Sequence, residues 1–377
     1  MDLDISEHEK LKEVEEFAVS KVRKRASEID DLATFPSDLV REMGSIGVFS
    51  FYIPRKYGGL AFSLNSLMES IRIISRECAS TSLIPDVTIS LFGEPILKYG
   101  SEFLKRKYLS KIAKGTIGAL AITEPGAGSD AAAIKTTASK KGAGYVLNGG
   151  KTFITNGDEA EFYLASAVTS PEKKHHGITL FALDREMDGL SIGNEFKKMG
   201  IRGTSTTEVL LDNVEVDKEQ IVGNLDEGFK IEMDTLNLGR IGIASQAIGI
   251  SEGAIRDVIR FNEELGGING ENKQFRLADM VNQLHSSVAK YNESIHYAQT
   301  GKEATLMSSL SKLQAGDSAV QITSDAISLL GYHAMSEEYP LERRFREAKI
   351  TQIYEGTNEI QRMIIAREIL KKGMPSF

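Results

Sequence analysis

The residues with the clearest chemical potential lie near the end of the chain, where Tyr354-Glu355-Gly356-Thr357 separates two helical stretches. Gly356 frees the backbone for a turn, and Thr357 carries a side chain able to cap the helix that follows. A carboxylate on such a turn can point into a cavity, the place a general base must occupy. A lone Glu is equally well read as a solvated surface charge, so Glu355 needs company, and two upstream segments supply it. Ala121-Ile122-Thr123-Glu124-Pro125-Gly126-Ala127-Gly128-Ser129-Asp130 combines two hydroxyls, two glycines and a proline. Pro125 stops a helix, the glycines let the backbone approach a ligand closely, and successive N–H groups of such a loop can form an anion-binding concavity. The same pattern also suits a polar connecting loop. Tyr145 to Gly157 alternates apolar and polar residues on both sides of Asn148-Gly149, which predicts a hairpin. Phe153 and Thr155 would then share one strand face, a ring beside a hydroxyl, suited to a flat heteroaromatic cofactor or simply to the core.

The elements that must position these residues change character along the chain. Up to about residue 117 the pattern is helical: Glu7–Lys24 is amphipathic, a helix starts at Pro36, and others run near Leu64–Cys78 and Val87–Tyr99. From about 118 to 225 short alternating runs predict strands at Gly144–Leu147, Lys151–Thr155, Gly177–Leu183 and Thr207–Val216, the last split at Asp212-Asn213. From about 226 long helices return, with stripes such as Ile241, Ala244, Ile248, Ile255 and Ile259, and the last ends near Leu370, before Gly373 and Pro375. We expect domains at 1–117, 118–225 and 226–377. No repeat or low-complexity tract is present.

Composition narrows the function classes. The 377 residues carry a net charge of −8, with a pI near 5.5 and no basic stripe, which argues against a nucleic-acid partner. The single cysteine, Cys78, cannot form an intrachain disulfide and reads as a small core residue. His175 and His176 lack a nearby third ligand, so no metal is expected. The acidic first residues resemble neither a signal nor a transit peptide, and no run reaches membrane-spanning length, so a cytoplasmic location is expected.

The three chemical segments, in this order, resemble the acyl-CoA dehydrogenase flavoenzyme family. The same holds for Ile53-Pro54-Arg55-Lys56-Tyr57-Gly58-Gly59, for Arg240 with Gln246-Ala247-Ile248-Gly249, for Gln274 to Met280, and for Glu338 to Arg343. The resemblance covers almost the whole chain. It implies an α+β fold with an N-terminal α-helical domain, a middle antiparallel β-barrel domain and a C-terminal four-helix bundle. It also implies FAD and α,β-dehydrogenation of an acyl thioester, on coenzyme A or an acyl carrier protein. Glu355 takes the α proton in that reading, while hydride passes to flavin N5. The implied cofactor contacts are Ile122, Thr123, Gly128, Ser129, Phe153, Thr155 and Thr357; Arg240 and Gly356 fall to the substrate. Some family branches carry the base just before the arginine matched by Arg240. Gly239 stands there, which leaves Glu355.

Two stretches depart from the family pattern. An ungapped count places Arg260 on an arginine that grips the FAD of a neighbouring subunit, but Glu263-Glu264 follows where Phe-Gly is usual. Later, of a glycine-rich run with the same task, Gly331 alone is kept. Extra carboxylates near a pyrophosphate weaken binding, so the ADP half of FAD is expected to be held differently. A homodimer or homotetramer follows from a grip shared between subunits, with electron-transfer flavoprotein or oxygen as acceptor. Two alternatives stay open: an oxygen-using oxidase or monooxygenase of the same fold, and a scaffold homologue that has lost FAD.

Overall fold

The computed structural model describes residues 3–300 and 304–373, so Pro375 lies outside the described residues. Eight α-helices precede the first strand: α1 (Ile5–Phe17), α2 (Arg23–Leu32), α3 (Ser37–Ser45), α4 (Leu64–Ser75), α5 (Ala79–Asp86), α6 (Glu94–Tyr99), α7 (Glu102–Leu104) and α8 (Ser110–Ile112). Asp4 starts α1 with a capping box, accepting from Glu7 N–H while the Glu7 side chain reaches back. Two expected helices are longer than their apolar patterns. A π-helical turn, Ala18–Val22, joins α1 to α2, and another, Val87–Gly93, joins α5 to α6. An inserted residue shifts the apolar stripe around the axis, so a fixed helical period loses it there.

The middle part is one sheet of eight strands: β1 (Gly118–Ala121), β2 (Thr137–Lys141), β3 (Gly144–Thr155), β4 (Phe162–Val168), β5 (Ile178–Asp184), β6 (Leu190–Glu195), β7 (Thr206–Val216) and β8 (Ile221–Val222). Its order is β6-β7-β3-β2-β4-β5-β8, with β1 beside β4. Most pairs are antiparallel, but β1 and β2 each meet β4 in parallel. The hairpin expected at Asn148-Gly149 is a correction: β3 runs unbroken through it, and the turn lies earlier, between β2 and β3 at Gly142. The expected split of β7 at Asp212-Asn213 fails for the same reason. The two sites are one bulge seen from both strands, where Asn213 has φ +56° and Asn213 N–H donates to Asn148 Oδ1 at 2.8 Å. A methyl at Gly149 would fall 2.4 Å from Thr136 Oγ1, so this glycine serves a close backbone approach rather than a turn.

The last part holds three long helices, α9 (Gly228–Leu265), α10 (Glu271–Thr300) and α11 (Ala304–Leu330), then α12 (Leu341–Ile350) and α13 (Asn358–Lys372). α9 is the central strut, because its buried face meets α4, α5, β5, α10, α11 and α12. One apolar core joins it to the N-terminal helices and the sheet, including Leu91, Phe92, Phe162, Leu180, Leu238, Ile241 and Ile248. Cys78 is buried in the neighbouring core between the N-terminal helices and the sheet.

Candidate active site

Glu355 sits between α12 and α13 in a left-handed conformation, φ +55°, followed by Gly356 at φ +83°. A non-glycine residue in that region is uncommon and costs local strain, which the surroundings must hold. Three contacts hold it. Thr357 caps α13 through Ile360 N–H at 3.3 Å, as its place in the sequence implies. Gln361 Nε2 donates to the carbonyls of Glu355 at 3.2 Å and Gly356 at 2.8 Å. Lys312, fully buried on α11, donates to Gly356 O at 2.8 Å and Asn358 Oδ1 at 2.9 Å.

The turn aims the carboxylate inward. Part of Glu355 is exposed, but its Oε2 is buried and has no hydrogen-bond partner among the described residues. A methyl at Gly239 would lie 2.5 Å from that oxygen and 2.7 Å from Leu91 Cδ2. The absent side chain of α9 is therefore the socket of the carboxylate, and an acid at position 239 and Glu355 as placed exclude each other. Burial pushes the Glu355 carboxyl up to about 7, against the pull of Arg240 and then Lys312. Burial likewise draws Lys312 down to about 7 and Arg240 to about 10, with Glu355 opposing both shifts. Arg240 is buried on α9, donates to Asn237 Oδ1 at 2.9 Å, and leaves Nε without a partner. The result is a desolvated carboxyl poised near neutrality between two cations, a condition suited to proton abstraction.

The glycine loop is anchored rather than loose. Lys151, fully buried on β3, donates to Ile122 O at 3.1 Å, Ser166 Oγ at 3.3 Å and Glu124 Oε1 at 2.8 Å. Glu124 also accepts from Thr136 N–H at 3.0 Å and Thr136 Oγ1 at 2.6 Å. Thr152 N–H donates to Thr123 O at 2.8 Å, tying the loop to the end of β3. Beyond this anchor, Gly126, Gly128 and Ser129 are exposed, and their N–H groups donate to nothing among the described residues. Phe153 occupies a bulge in β3 with φ +57°, is 61 % exposed, and stacks on Phe196 at 4.5 Å between centroids. A large ring held outward beside half-buried Thr155 and next to a loop of free donors fits a flavin and its phosphates.

Arg260 and Gly331 come together elsewhere. They lie where α9 and α11 end, and the rings of Phe261 and His333 beside them are 5.2 Å apart. Arg260 donates to Glu338 O and stands 4.7 Å over the Tyr339 ring. Glu264, one of the two unexpected acids, accepts from the Tyr339 hydroxyl. Gly331 has φ +60° and open space around it. From residue 239 to 260 a helix advances roughly 30 Å, so these residues cannot touch a flavin that Glu355 of the same chain serves. His175 and His176 stack on each other in a polar loop, and no cluster able to hold a metal occurs among the described residues.

Comparison with known proteins agrees with this geometry. Models of the N-terminal, middle and C-terminal domains of acyl-CoA dehydrogenase match residues 6–116, 119–214 and 226–370. The chain belongs to the acyl-CoA dehydrogenase family. An acyl-CoA dehydrogenase of Bacillus subtilis (strain 168) is 38 % identical over 95 % of this chain and 96 % of its own length. The structure of butyryl-CoA dehydrogenase from Megasphaera elsdenii is 34 % identical, covers 98 % of this chain and 99 % of its own, and superposes with a TM-score of 0.94. The prolyl acyl carrier protein oxidase AnaB is 27 % identical over 98 % of this chain and 100 % of its own, with a TM-score of 0.89. This acyl-CoA dehydrogenase homologue is thus an FAD-dependent oxidoreductase with a helical, sheet, helical architecture. No helix among its described residues is long and apolar enough to cross a membrane.

The sequence pointed to Glu355 and to the glycine loop as candidates but not to Lys312, the Lys151–Glu124 anchor or the socket role of Gly239. Lys312 interrupts an apolar helical run between Leu310 and Leu313, and a polar residue at an otherwise buried position was the available signal.

Proposed function

We propose that this chain dehydrogenates the Cα–Cβ bond of a short acyl-CoA, with Glu355 taking the α proton. The observation that carries the reading is the unpartnered Oε2 of Glu355, held by a strained turn in the socket at Gly239. Such an oxygen has desolvation already imposed on it and accepts a proton without first shedding water. Removing an α proton also requires donors for the enolate oxygen. The Glu355 N–H, which donates to nothing among the described residues, is one such donor. Arg240 and Gly356 border the thioester in this reading. Ile122, Thr123, Gly128, Ser129, Phe153, Thr155 and Thr357 hold the FAD, which accepts the β hydrogen as hydride when bound. Coenzyme A is favoured over a carrier protein as the thiol, because the butyryl-CoA dehydrogenase is the nearer of the two structural relatives, at 34 % against 27 % identity. Arg260 and Gly331 then face the cofactor of a second copy, which makes the active form a homo-oligomer.

The test is anaerobic mixing of the purified yellow protein with butyryl-CoA and with the same acyl group on a carrier protein. Bleaching of the flavin by the CoA form supports the reading, and bleaching by the carrier form alone replaces the thiol. A protein that stays colourless in excess FAD removes the enzyme reading. Re-oxidation by air, timed against re-oxidation by an electron-transfer flavoprotein, separates an oxidase from a dehydrogenase.

A further inference from the structure

A second carboxylate packs against α9 beside the first. Asp86 ends α5 and opens the π-helical turn Val87–Gly93. It is 2 % exposed, and among the described residues its one hydrogen-bond donor is Ser90 Oγ, at 2.8 Å from Oδ1. A methyl at Gly242 would fall 2.2 Å from Asp86 Oδ1 and 2.5 Å from Oδ2. Gly242 follows Gly239 by three residues, so both glycines face the same side of α9, roughly 4.5 Å apart along the axis. The helix thus provides two adjacent sockets, one filled by Glu355 and the next by Asp86. Leu91, from the turn that Asp86 opens, packs at the first of them.

A carboxylate buried with one hydroxyl partner is costly, and a position that gives up a side chain to admit it adds to the cost. Core packing alone offers no return for that arrangement. No lysine or arginine contacts Asp86 among the described residues. The ionisable groups that face it are Glu355 and Tyr354, and the Tyr354 hydroxyl is engaged with Gln246 Oε1. Burial, aided by the charge of Glu355 and opposed by Ser90, pushes the Asp86 carboxyl up to about 8. Neither neighbour donates to it among the described residues, so a donor carried by a ligand would find an acceptor there.

We propose that Asp86 is a specificity residue that receives a hydrogen-bond-donating group, a hydroxyl or an ammonium, carried near the distal end of a short acyl chain. The inference rests on the dehydrogenase reading, because it takes the reacting carbon to lie against Glu355. From there, the next socket lies roughly 4.5 Å further along α9, within reach of a short acyl chain lying beside the two carboxyls. A plain butyryl chain would leave the carboxyl unpartnered at that point, and a 4-hydroxy or 4-amino chain would satisfy it.

The test compares butyryl-CoA with its 4-hydroxy and 4-amino derivatives on the FAD-loaded enzyme, wild type and Asp86→Ala. Wild type should prefer a substituted thioester in kcat/KM by about 10-fold or more, the usual worth of a hydrogen bond to a carboxyl. Asp86→Ala should erase that preference, and Asp86→Asn should keep the hydroxyl arm while losing the amino arm. Calorimetric Kd values on Glu355→Gln, alone and combined with Asp86→Ala, score the same preference without turnover. If no thioester reduces the flavin while the Kd preference survives, the dehydrogenase reading fails and the Asp86 site stands. If the preference for plain butyryl-CoA is the same in wild type and both Asp86 variants, Asp86 is a structural acid and the proposal falls. Should Asp86→Ala not fold with FAD, Asp86→Asn decides alone: an unchanged ratio of amino to plain thioester overturns the proposal.

Discussion

Two regions of α9 solve opposite problems with charge. Near its middle, Arg240 and Lys312 are buried beside the half-buried Glu355, and the acid and the arginine keep atoms without partners among the described residues. At its C-terminal end, the exposed Arg260 and Glu264 close on the buried Tyr339 through a cation over its ring and a phenol–carboxylate hydrogen bond, and Arg260 also donates to Glu338 O. Charges left wanting in a dry cavity are available for chemistry, whereas charges satisfied in water are worth little to stability or to a ligand. The second group also answers the concern raised by Glu263-Glu264. The Glu264 carboxylate is engaged by the Tyr339 hydroxyl rather than left without a partner. Arg260 is partly engaged as well.

The comparison breaks most directly at Glu355. Glu355→Gln keeps size and hydrogen-bonding reach but removes the proton acceptor, so FAD should stay bound while flavin reduction slows ~10²–10⁴-fold. Reduction at the wild-type rate in stopped flow would make the buried site as idle as the exposed one. Gly239→Ala attacks the socket instead. Its methyl collides with Oε2 and with Leu91, so we expect a loss of about 1–3 kcal/mol in stability together with a lower reduction rate and intact FAD absorbance. A variant as fast and as stable as wild type would show that the carboxylate does not depend on its socket.

Acidity offers a finer test. The rate of flavin reduction should rise with pH through about 7, where Glu355 ionises. Stability should move the other way in the ligand-free protein. Glu355 and Glu232 keep their protons up to about 7 when folded, and Asp86 up to about 8, while unfolded carboxyls lose theirs near ~4. The folded chain therefore binds more protons between these limits, and its Tm should fall from pH 5 to about pH 7. Lys312 reverses the sign above about 7, because it gives up its proton early when folded. A Tm that rises steadily from pH 5 to about pH 7 would contradict the burial of these acids. The smallest effect is expected at Arg260→Ala. On an exposed, self-satisfied cluster, stability should change by less than about 1 kcal/mol, with a modest loss of FAD on dilution. Identical FAD retention would mean that this end takes no part in holding cofactor.

What could be read from the sequence follows the reach of each signal. Local chemistry was legible: the turn at Glu355-Gly356-Thr357, the glycine loop, and the helical and stranded thirds of the chain. Features needing a partner from far along the chain were not. Lys312 meets Gly356 and Asn358 across more than forty residues, and Asp86 meets Gly242 across more than a hundred and fifty. Each glycine looks like a helix weakness until the side chain that fills its gap is placed. Asn148-Gly149 was misread for a related reason, since the pair that favours a tight turn also favours a bulge, and only the partner strand decides between them.

The π-helical turn at Val87–Gly93 has a consequence for how this pocket can change. Such a turn is an α-helix carrying one surplus residue. Deleting a single residue from it would restore the ordinary winding and rotate everything before it by about 100° relative to everything after. Asp86 would swing off Gly242 while Leu91 stayed at Gly239. No point substitution in the turn could do the same. On the acyl-chain placement proposed above, the distal end of the substrate site is therefore set by chain length as well as by residue type.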